Sequence, residues 1–275
     1  MALLCVIGCE ESMGHNTKEK RITVKGSDTM VILVQRWAET YAYTKRNVMV
    51  QVTGGGSGTG IAALINGGTE ICASSRPMTK KEKDQVQNRR GQGVAEIPVA
   101  FDGVAIFVHN DNPVDNLSLA QLNAIYQGKI TDWNDIGGSA GGIACYGPEN
   151  NTGTYHYFKE RILSGNNFDK NVQALPGAAI IINLVSKDKH AIGFSGIGYT
   201  KGVKVIRIRL GKNSDFGILP TSETVVSDIY PLSRKLYFYT VGTPKDEVRE
   251  FINWVNGEQG RLVCEDVGYY PFRQE

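Results

Sequence analysis

The chain lacks the features that would assign it to several common classes of protein. Its 30 basic and 28 acidic residues give a net charge of only +2, whereas a nucleic-acid-binding domain usually has a strongly basic face. No run approaches the roughly 18 to 20 consecutive apolar residues of a transmembrane helix. The sequence also has no P-loop motif and no nucleophile elbow, which excludes an ordinary P-loop NTPase and gives no indication of a hydrolase.

Cysteine and histidine are few and scattered. The five cysteines, at positions 5, 9, 72, 145 and 264, form no CxxC pair and show no zinc-ligand spacing. None of the four histidines has a second histidine four residues away, as in a zinc-binding helix. We therefore predict no metal site and no cofactor, and we expect the cysteines of the folded part to be buried free thiols.

The N-terminus has the pattern of a shortened lipoprotein leader. An apolar run from Met1 to Gly8 ends in the letters VIGC, which resemble a bacterial lipobox with Cys9 as the lipidated residue. No basic segment precedes the run, as it would in a complete signal peptide. We predict that residues 1–20 are a signal remnant and tether. The alternative is an apolar leader with a chance cysteine.

Small hydroxyl residues and glycines are concentrated in three stretches, each at the predicted start of a helix. These stretches are 26–29, 54–60 and 150–154, with the sequences GSDT, GGGSGTG and NNTGT. The free N–H groups at a helix start carry partial positive charge, and Ser or Thr adds a donor there without bulk. Glycine, at 32 of 275 residues, allows close backbone approach. Three such ends that converge would bind a small anion.

Strand and helix signals alternate along the first hundred residues. We predict strands at 21–25, 47–53 and 71–75, and helices at 31–43, 61–66 and 79–90, the last with Thr79 and Glu82 as a capping box. This rhythm predicts an α/β fold with a parallel sheet covered by helices. Ligands of such folds bind at the carboxyl ends of the strands, where these loops fall.

The apolar stretch 94–110 is too long for one ordinary strand. We predict two strand segments joined at Asp102-Gly103, where the chain passes to a second lobe, and a return near 229–235. Lobe 1 would comprise 21–101 plus 231–275, and lobe 2 would comprise 102–230. The remaining elements are predicted as helices at 119–126, 155–163, 178–187 and 245–256, and strands at 143–146, 191–195, 203–210 and 237–241.

Ordered motifs over residues 22–274 give the chain a family resemblance. They read GSDTM, TGGGSGTGI, ASSRPM, FDG, IYQGKITDWNDIGG, NNTGTYHYFKE and AIGFSGIGY. Together they resemble the phosphate-binding protein family of bacterial ABC importers. The resemblance implies a two-lobed, periplasmic-binding-protein-like fold of type II with a ligand cleft between the lobes. It also implies a monomer, outside the inner membrane or on the cell surface, that delivers inorganic phosphate to an ABC permease and is not an enzyme.

The resemblance also implies roles for particular residues in the three loops. Hydroxyls and N–H groups would donate hydrogen bonds to phosphate from Ser27, Thr29, Met30, Ser57, Thr152, Gly153 and Thr154. Two positions depart from the family pattern. Ser75 stands where the best-known members have an Asp that accepts the phosphate proton, and Pro148 stands where they have an Arg. Arg76 or Asp102 could take over these roles, and Asn150 and Asn151 could add donors.

Other functions stay open at this stage. Gly58, Gly60 and Ala63 fit G-x-G-x-x-A after a strand, which would suit an NAD(P)-dependent oxidoreductase. The acidic residue expected about 20 positions further on would fall in a charged helix, and no catalytic cluster accompanies the motif. Another oxyanion such as sulfate could be the ligand, since Ser75 can donate or accept. The same cleft would also serve adhesion or phosphate sensing.

Overall fold

The computed structural model describes residues 20–210 and 216–272, which form a mixed α/β fold around one curled sheet. The strands are β1 Lys20–Gly26, β2 Val48–Thr53, β3 Ile71–Ser74, β4 Val94–Val108, β5 Asn116–Ser118, β6 Ala144–Pro148, β7 Gln173–Leu175, β8 Ala191–Gly196, β9 Lys204–Val205, β10 Arg207–Arg209, β11 Ser233–Val241 and β12 Tyr270–Pro271. The helices are α1 Val31–Thr44, α2 Ser57–Asn66, α3 Lys80–Arg90, α4 Leu119–Tyr126, α5 Gly153–Arg161, α6 Ala178–Val185, α7 Ser222–Val226, α8 Asp246–Asn256 and α9 Glu258–Asp266. Short 3₁₀ helices cover Asp28–Met30, Trp133–Ile136 and Ile197–Tyr199.

The sheet has the strand order β2-β1-β3-β11-β4-β8-β6-β7, and β12 and β9 also pair with β4. Strand β1 runs parallel to β2 and β3, so the carboxyl ends of these three strands lie at one edge. The two longest strands, β4 and β11, pair antiparallel in the middle, and their register sets Arg234 opposite Asp102. This pairing brings together two charged residues that are far apart in the sequence.

Two sets of buried side chains divide the fold into halves. The first half is built on β1–β3, α1–α3, α8 and α9, and its main core includes Ile22, Leu33, Trp37, Tyr41, Phe238 and Phe251. The second half is built on β6–β8 and α4–α7, and its main core includes Leu122, Tyr126, Trp133, Phe158, Phe194 and Tyr230. Strand β4 serves both, because Ala100 packs in the first core and Ile106 in the second. The lobe boundaries 21–101 plus 231–275 and 102–230 stay a prediction.

Local sequence explains the ends of several helices. Helix α3 begins at a capping box in which the Thr79 hydroxyl accepts from the Glu82 N–H and the Glu82 side chain accepts from the Thr79 N–H. It ends at Gly91, whose φ of 71° is the left-handed conformation that glycine adopts freely. The predicted capping box is therefore confirmed, and so is helix α4 over Leu119–Tyr126.

Several features differ from the sequence predictions. The two segments predicted within 94–110 are wrong: β4 is one strand of 15 residues, because β11 and then β8 supply hydrogen-bond partners along its length. The strand predicted at 203–210 is broken into β9 and β10, which pair with different neighbours. Helix α9 and strand β12 were not predicted, and their apolar residues are too few to give a clear period.

The described residues also bear on the cysteines and on membrane insertion. Within 20–210 and 216–272, no helix combines the length and apolar character needed to cross a membrane. Cys72, Cys145 and Cys264 are free thiols; Cys72 and Cys264 are buried as predicted, whereas Cys145 is half-buried. Burial raises the pKa of Cys72 to about 12. The predicted lipidation site Cys9 and residues 1–19 of the predicted tether lie outside the described residues.

Candidate anion-binding site

The loops that follow β1, β2, β3 and β6 meet at one place between the halves. Thr29 lies in the 3₁₀ turn after β1, and Thr154 lies in the first turn of α5 after β6. Both are buried, and their hydroxyl oxygens are 2.8 Å apart although 125 residues separate them in the chain. A hydroxyl from each half of the molecule thus faces the same point.

Arg234 of β11 supplies a buried positive charge at this point. Its Nη2 donates to the Thr154 hydroxyl at 3.0 Å and lies 3.4 Å from the Thr29 hydroxyl. The guanidinium lies over the ring of Tyr157 from α5, with Cζ 5.6 Å from the ring centroid. Its Nη1 is buried and has no hydrogen-bond partner among the described residues. A buried donor without a partner is costly, so its presence here favours an anionic ligand.

Asp102 of β4 holds Arg234 in place. Its Oδ2 accepts from Nε at 2.8 Å and lies 2.6 Å from Nη2 in the ion pair, and its Oδ1 accepts from the Ile197 N–H at 2.9 Å. The side chains are 0% and 3% exposed for Asp102 and Arg234. Burial raises the pKa of the Asp102 carboxyl, while Arg234 and the Ile197 N–H act in the opposite direction. Because both partners are enclosed, the pair holds the Arg234 guanidinium in one fixed orientation at the site.

Ser57 and Ser75 form a second group of hydroxyls beside the first. The Ser57 Oγ accepts from the Ser75 N–H at 3.1 Å and lies 3.3 Å from the Ser75 Oγ, and both residues are fully buried. Gly153 packs directly against them, since a methyl group at this position would collide with the Ser75 hydroxyl and lie 2.5 Å from the Ser57 Oγ. Gly153 and Thr154 thereby connect the serine pair to Thr29.

The first turn of α5 has free N–H donors. The Thr152 hydroxyl caps the helix by accepting from the Tyr155 N–H at 3.1 Å and donates to the Glu149 carbonyl at 2.8 Å. The N–H groups of Gly153 and Thr154 have no partner among the described residues. Free N–H groups at a helix start attract anions. Thr152 therefore supports the loop, while its two neighbours present donors.

A small cavity of about 10 Å³ lies against Thr154, and its lining includes Asp28, Thr29, Pro148, Thr152, Gly177 and Ser195. Ala178, the first residue of α6, also contributes, so the start of a second helix faces the same space. The volume is about enough for one water molecule. The halves are therefore closely apposed, and a larger guest would take the place of direct contacts such as the bond between Thr29 and Thr154.

Three residues expected at the site make no hydrogen bond to its hydroxyl groups within the described part of the chain. The Ser27 hydroxyl is buried without a partner among the described residues, and the Met30 N–H donates to the Ser27 carbonyl at 3.0 Å. Arg76 forms a two-pronged ion pair with Glu82, at 2.7 and 2.9 Å. No hydrogen bond links Arg76 to the hydroxyl groups of the site. The ligand-binding roles of Ser27, Met30 and Arg76 stay predictions.

Sequence reasoning missed Arg234, Ser195 and the start of α6. A signal for Arg234 was present, because it falls between Leu232 and Leu236 at a strand period of two, where an inward-facing residue is expected. A charge at such a position indicates a buried ion pair or a ligand contact. The partner 132 residues earlier could not be read from local sequence.

Comparison with known proteins identifies the family. A family model described as the PBP superfamily domain matches residues 12–259. The phosphate-binding protein PstS of Pseudomonas aeruginosa is 33% identical over 263 residues, which cover 90% of this chain and 81% of that protein. The chain belongs to the PBP superfamily and, within it, to the family of PstS phosphate-binding proteins.

A further relative and two solved structures agree with this assignment. Protein SphX of Synechococcus elongatus is 30% identical, covering 91% of this chain and 77% of that protein. A phosphate ABC transporter substrate-binding protein from Clostridium perfringens, solved with bound phosphate, matches with a TM-score of 0.82 and 26% identity over 92% of this chain and all of that one. A phosphate transport receptor from Vibrio cholerae has a TM-score of 0.73 and 30% identity, over 90% and 99% of the two chains. These neighbours confirm the two-lobed fold.

The oxidoreductase alternative is not favoured by this family or by the position of the glycines. Gly58 and Gly60 lie inside α2 and not in a turn before it. A methyl group at Gly60 would lie 2.5 Å from the Gly26 Cα and 2.6 Å from the Lys25 carbonyl oxygen. The glycine therefore allows α2 to pack closely on β1, which accounts for it without a dinucleotide.

Proposed function

We propose that the protein binds inorganic phosphate between its halves and delivers it to an ABC permease. The observation that carries this proposal is the meeting of the Thr29 and Thr154 hydroxyls with the Arg234 guanidinium at one enclosed point. The family supports the choice of phosphate, because PstS proteins are phosphate-binding proteins. As a binding protein it carries out no reaction and is not an enzyme.

The ligand donors fall into three kinds. Hydroxyls come from Thr29, Ser57, Ser75 and Thr154, N–H groups come from Gly153 and Thr154, and the charged donors come from Arg234. Arg234, held in place by Asp102, supplies the positive charge that Pro148 cannot supply at the family's Arg position. A micromolar affinity needs about 8 kcal/mol. Hydrogen bonds to a charged group contribute roughly 1.5 to 3 kcal/mol each, so this set is sufficient even after the cost of association.

Binding of phosphate between the halves would couple ligand binding to the conformation of the protein. Only an anion held by donors from both sides favours the closed arrangement, and a permease can distinguish that arrangement from an open one. We further propose that the protein acts as a monomer outside the inner membrane, fastened by lipid at Cys9. The apolar leader and the VIGC letters support this anchor.

Sulfate stays as an alternative ligand for a specific reason. The Asp102 oxygens already accept from Arg234 and Ile197, and Ser75 is not a carboxylate. Ser75 and the paired Asp102 therefore offer little with which to accept the proton of monohydrogen phosphate and so to reject a fully ionised oxyanion.

Calorimetric titration tests the proposal directly. The purified chain should release heat with phosphate and arsenate at micromolar concentration, and more weakly with sulfate. Ser57→Ala and Thr154→Ala should each lower phosphate affinity, since each removes a hydroxyl donor. Unchanged affinity in both variants would show that the site lies elsewhere. Cofactor fluorescence that rises at micromolar NADH would instead favour the oxidoreductase.

A further inference from the structure

We propose that Asn151 is a positioning residue that fastens the second half of the molecule to the first and thereby sets the rate at which the anion leaves. The inference rests on the proposed function and adds to it. Asn151 lies directly before the α5 cap Thr152, and its contacts are made to the glycine loop, the stretch 54–60 that includes the first turn of α2. It acts on the ligand through the loop and not by touching the ligand.

Asn151 makes two hydrogen bonds across the boundary between the halves. Its side-chain Nδ2 donates to the Gly55 carbonyl at 3.0 Å, and its own carbonyl accepts from the Gly58 N–H at 3.2 Å. Both donor and acceptor of one residue are thus used on the same loop. Because Ser57 lies between Gly55 and Gly58, this contact fixes the serine relative to Gly153 and Thr154.

Gly56 makes this approach possible. Its φ is 89°, which is strained for any other residue, and a methyl group there would lie 2.5 Å from the Asn151 carbonyl oxygen. The glycine of the loop is therefore required for contact between the halves. The sequence analysis assigned the glycines of this loop to the approach of an anion. Gly56 instead allows the approach of the loop that carries Asn151.

The contact continues along the rim of the site. The Gly55 N–H donates to the Asp28 carboxylate at 2.8 Å, and the Tyr199 hydroxyl donates to the Asp28 carbonyl at 3.0 Å. Asn151 and Tyr199, both from the second half, therefore bind the first half at the two ends of one series of hydrogen bonds. Thr29 follows Asp28 directly, so the chain also holds a residue of the proposed anion site.

Release kinetics provide the test. Phosphate dissociation is measured by stopped flow, with an excess of an independent fluorescent phosphate sensor as the trap. Asn151→Ala should raise the dissociation rate roughly 3- to 10-fold, as expected for the loss of one net hydrogen bond that forms on closure. The association rate should stay within about twofold, because it precedes closure. The matched control is Asn47→Ala in the turn before β2, whose side chain is exposed and has no hydrogen bond among the described residues, and it should leave both rates unchanged.

A second variant separates this role from general damage to the loop. Gly56→Ala should also accelerate release, by pushing the halves apart, and adding Asn151→Ala to it should give little further change because both act on one contact. Thermal unfolding without phosphate should be similar in the wild type and in Asn151→Ala. Equal dissociation rates in wild type and Asn151→Ala would overturn the inference while leaving the proposed function intact. No phosphate binding by the wild type would overturn both.

Discussion

Two arginine–carboxylate pairs in this protein have similar chemistry and different surroundings. Arg76 pairs with Glu82, six residues away, and its guanidinium also donates to the neighbouring Pro77 carbonyl. Arg234 pairs with Asp102, 132 residues away, and also reaches the hydroxyls of Thr29 and Thr154. Only the second pair joins strands and loops from both halves.

The difference separates a structural ion pair from a proposed ligand site. Side chains of the Arg76 pair are 14% and 20% exposed, so water and salt can screen them, whereas those of the Arg234 pair are 3% and 0% exposed. A cation held in a dry, hydroxyl-lined place interacts more strongly with a bound anion. The position of an arginine relative to other donors, and not its pairing with an acid, indicates function.

The largest effect is expected from removing the buried cation. Arg234→Met should lower phosphate affinity by about 100-fold, equal to about 2.8 kcal/mol, because the charged donors are lost. It should also destabilise the fold by roughly 3 to 5 kcal/mol, since Asp102 is left buried and unpaired. Calorimetry and urea unfolding measure the two effects.

A double variant keeps this prediction testable if the single variant does not fold. Combining Arg234→Met with Asp102→Asn removes the uncompensated carboxylate and should recover part of the lost stability. The affinity should stay low. Wild-type affinity in a folded double variant would remove Arg234 from the site.

A smaller effect is expected from removing one neighbouring hydroxyl. Thr154→Val keeps the shape of the side chain and should lower phosphate affinity roughly 10-fold, through the loss of one hydrogen bond to a charged group. Thr240→Val is the matched control, because Thr240 is also buried and its hydroxyl has no partner among the described residues. Equal affinities in the two variants would contradict a ligand role for Thr154.

The smallest effect on binding is expected at the other pair. Arg76→Met should change phosphate affinity by less than about twofold and lower stability by roughly 0.5 to 1 kcal/mol, as for a partly exposed ion pair. A large loss of affinity would instead place Arg76 at the ligand. The comparison between the two arginines would then have to be abandoned.

The pair at Arg76 also makes stability depend on pH. Burial acts to raise the pKa of Glu82, but hydrogen bonds from Arg76 and Thr79 outweigh it and lower the pKa. A carboxyl with a lowered pKa in the folded state contributes stability above its unfolded pKa of about 4.3 and loses it as the pH falls through the lowered value. The stability difference between wild type and Glu82→Gln should therefore be present at pH 7 and shrink toward pH 3, as measured by urea unfolding. A difference that does not change with pH would show that the ion pair is not its source.

Local sequence was sufficient for much of the fold and for the loops of the site. The Thr79–Glu82 capping box predicted the start of α3, and the Ser, Thr and Gly letters near Thr29, Ser57 and Thr154 indicated donors at helix starts. The contacts among these loops, and the arrival of Arg234, depend on strand register between β4 and β11. Register is a property of pairs of distant segments, so no pattern within one segment could reveal it. The same limit explains why the sequence predicts two strand segments within 94–110. The distant strands β11 and β8, which pair with β4 along its length, could not be recognised as its partners from local sequence.

Strand β4 continues unbroken from one core to the other, and β11 runs beside it through the crossing. Two halves joined only by loops would rotate freely about a hinge. Here the connection is a hydrogen-bonded ribbon, with an irregularity between Leu236 and Tyr237 where added twist is easiest. Opening has to bend this ribbon, so we expect the halves to open through only a small angle. After the ligand leaves, the strain in the ribbon should return the halves to their original angle.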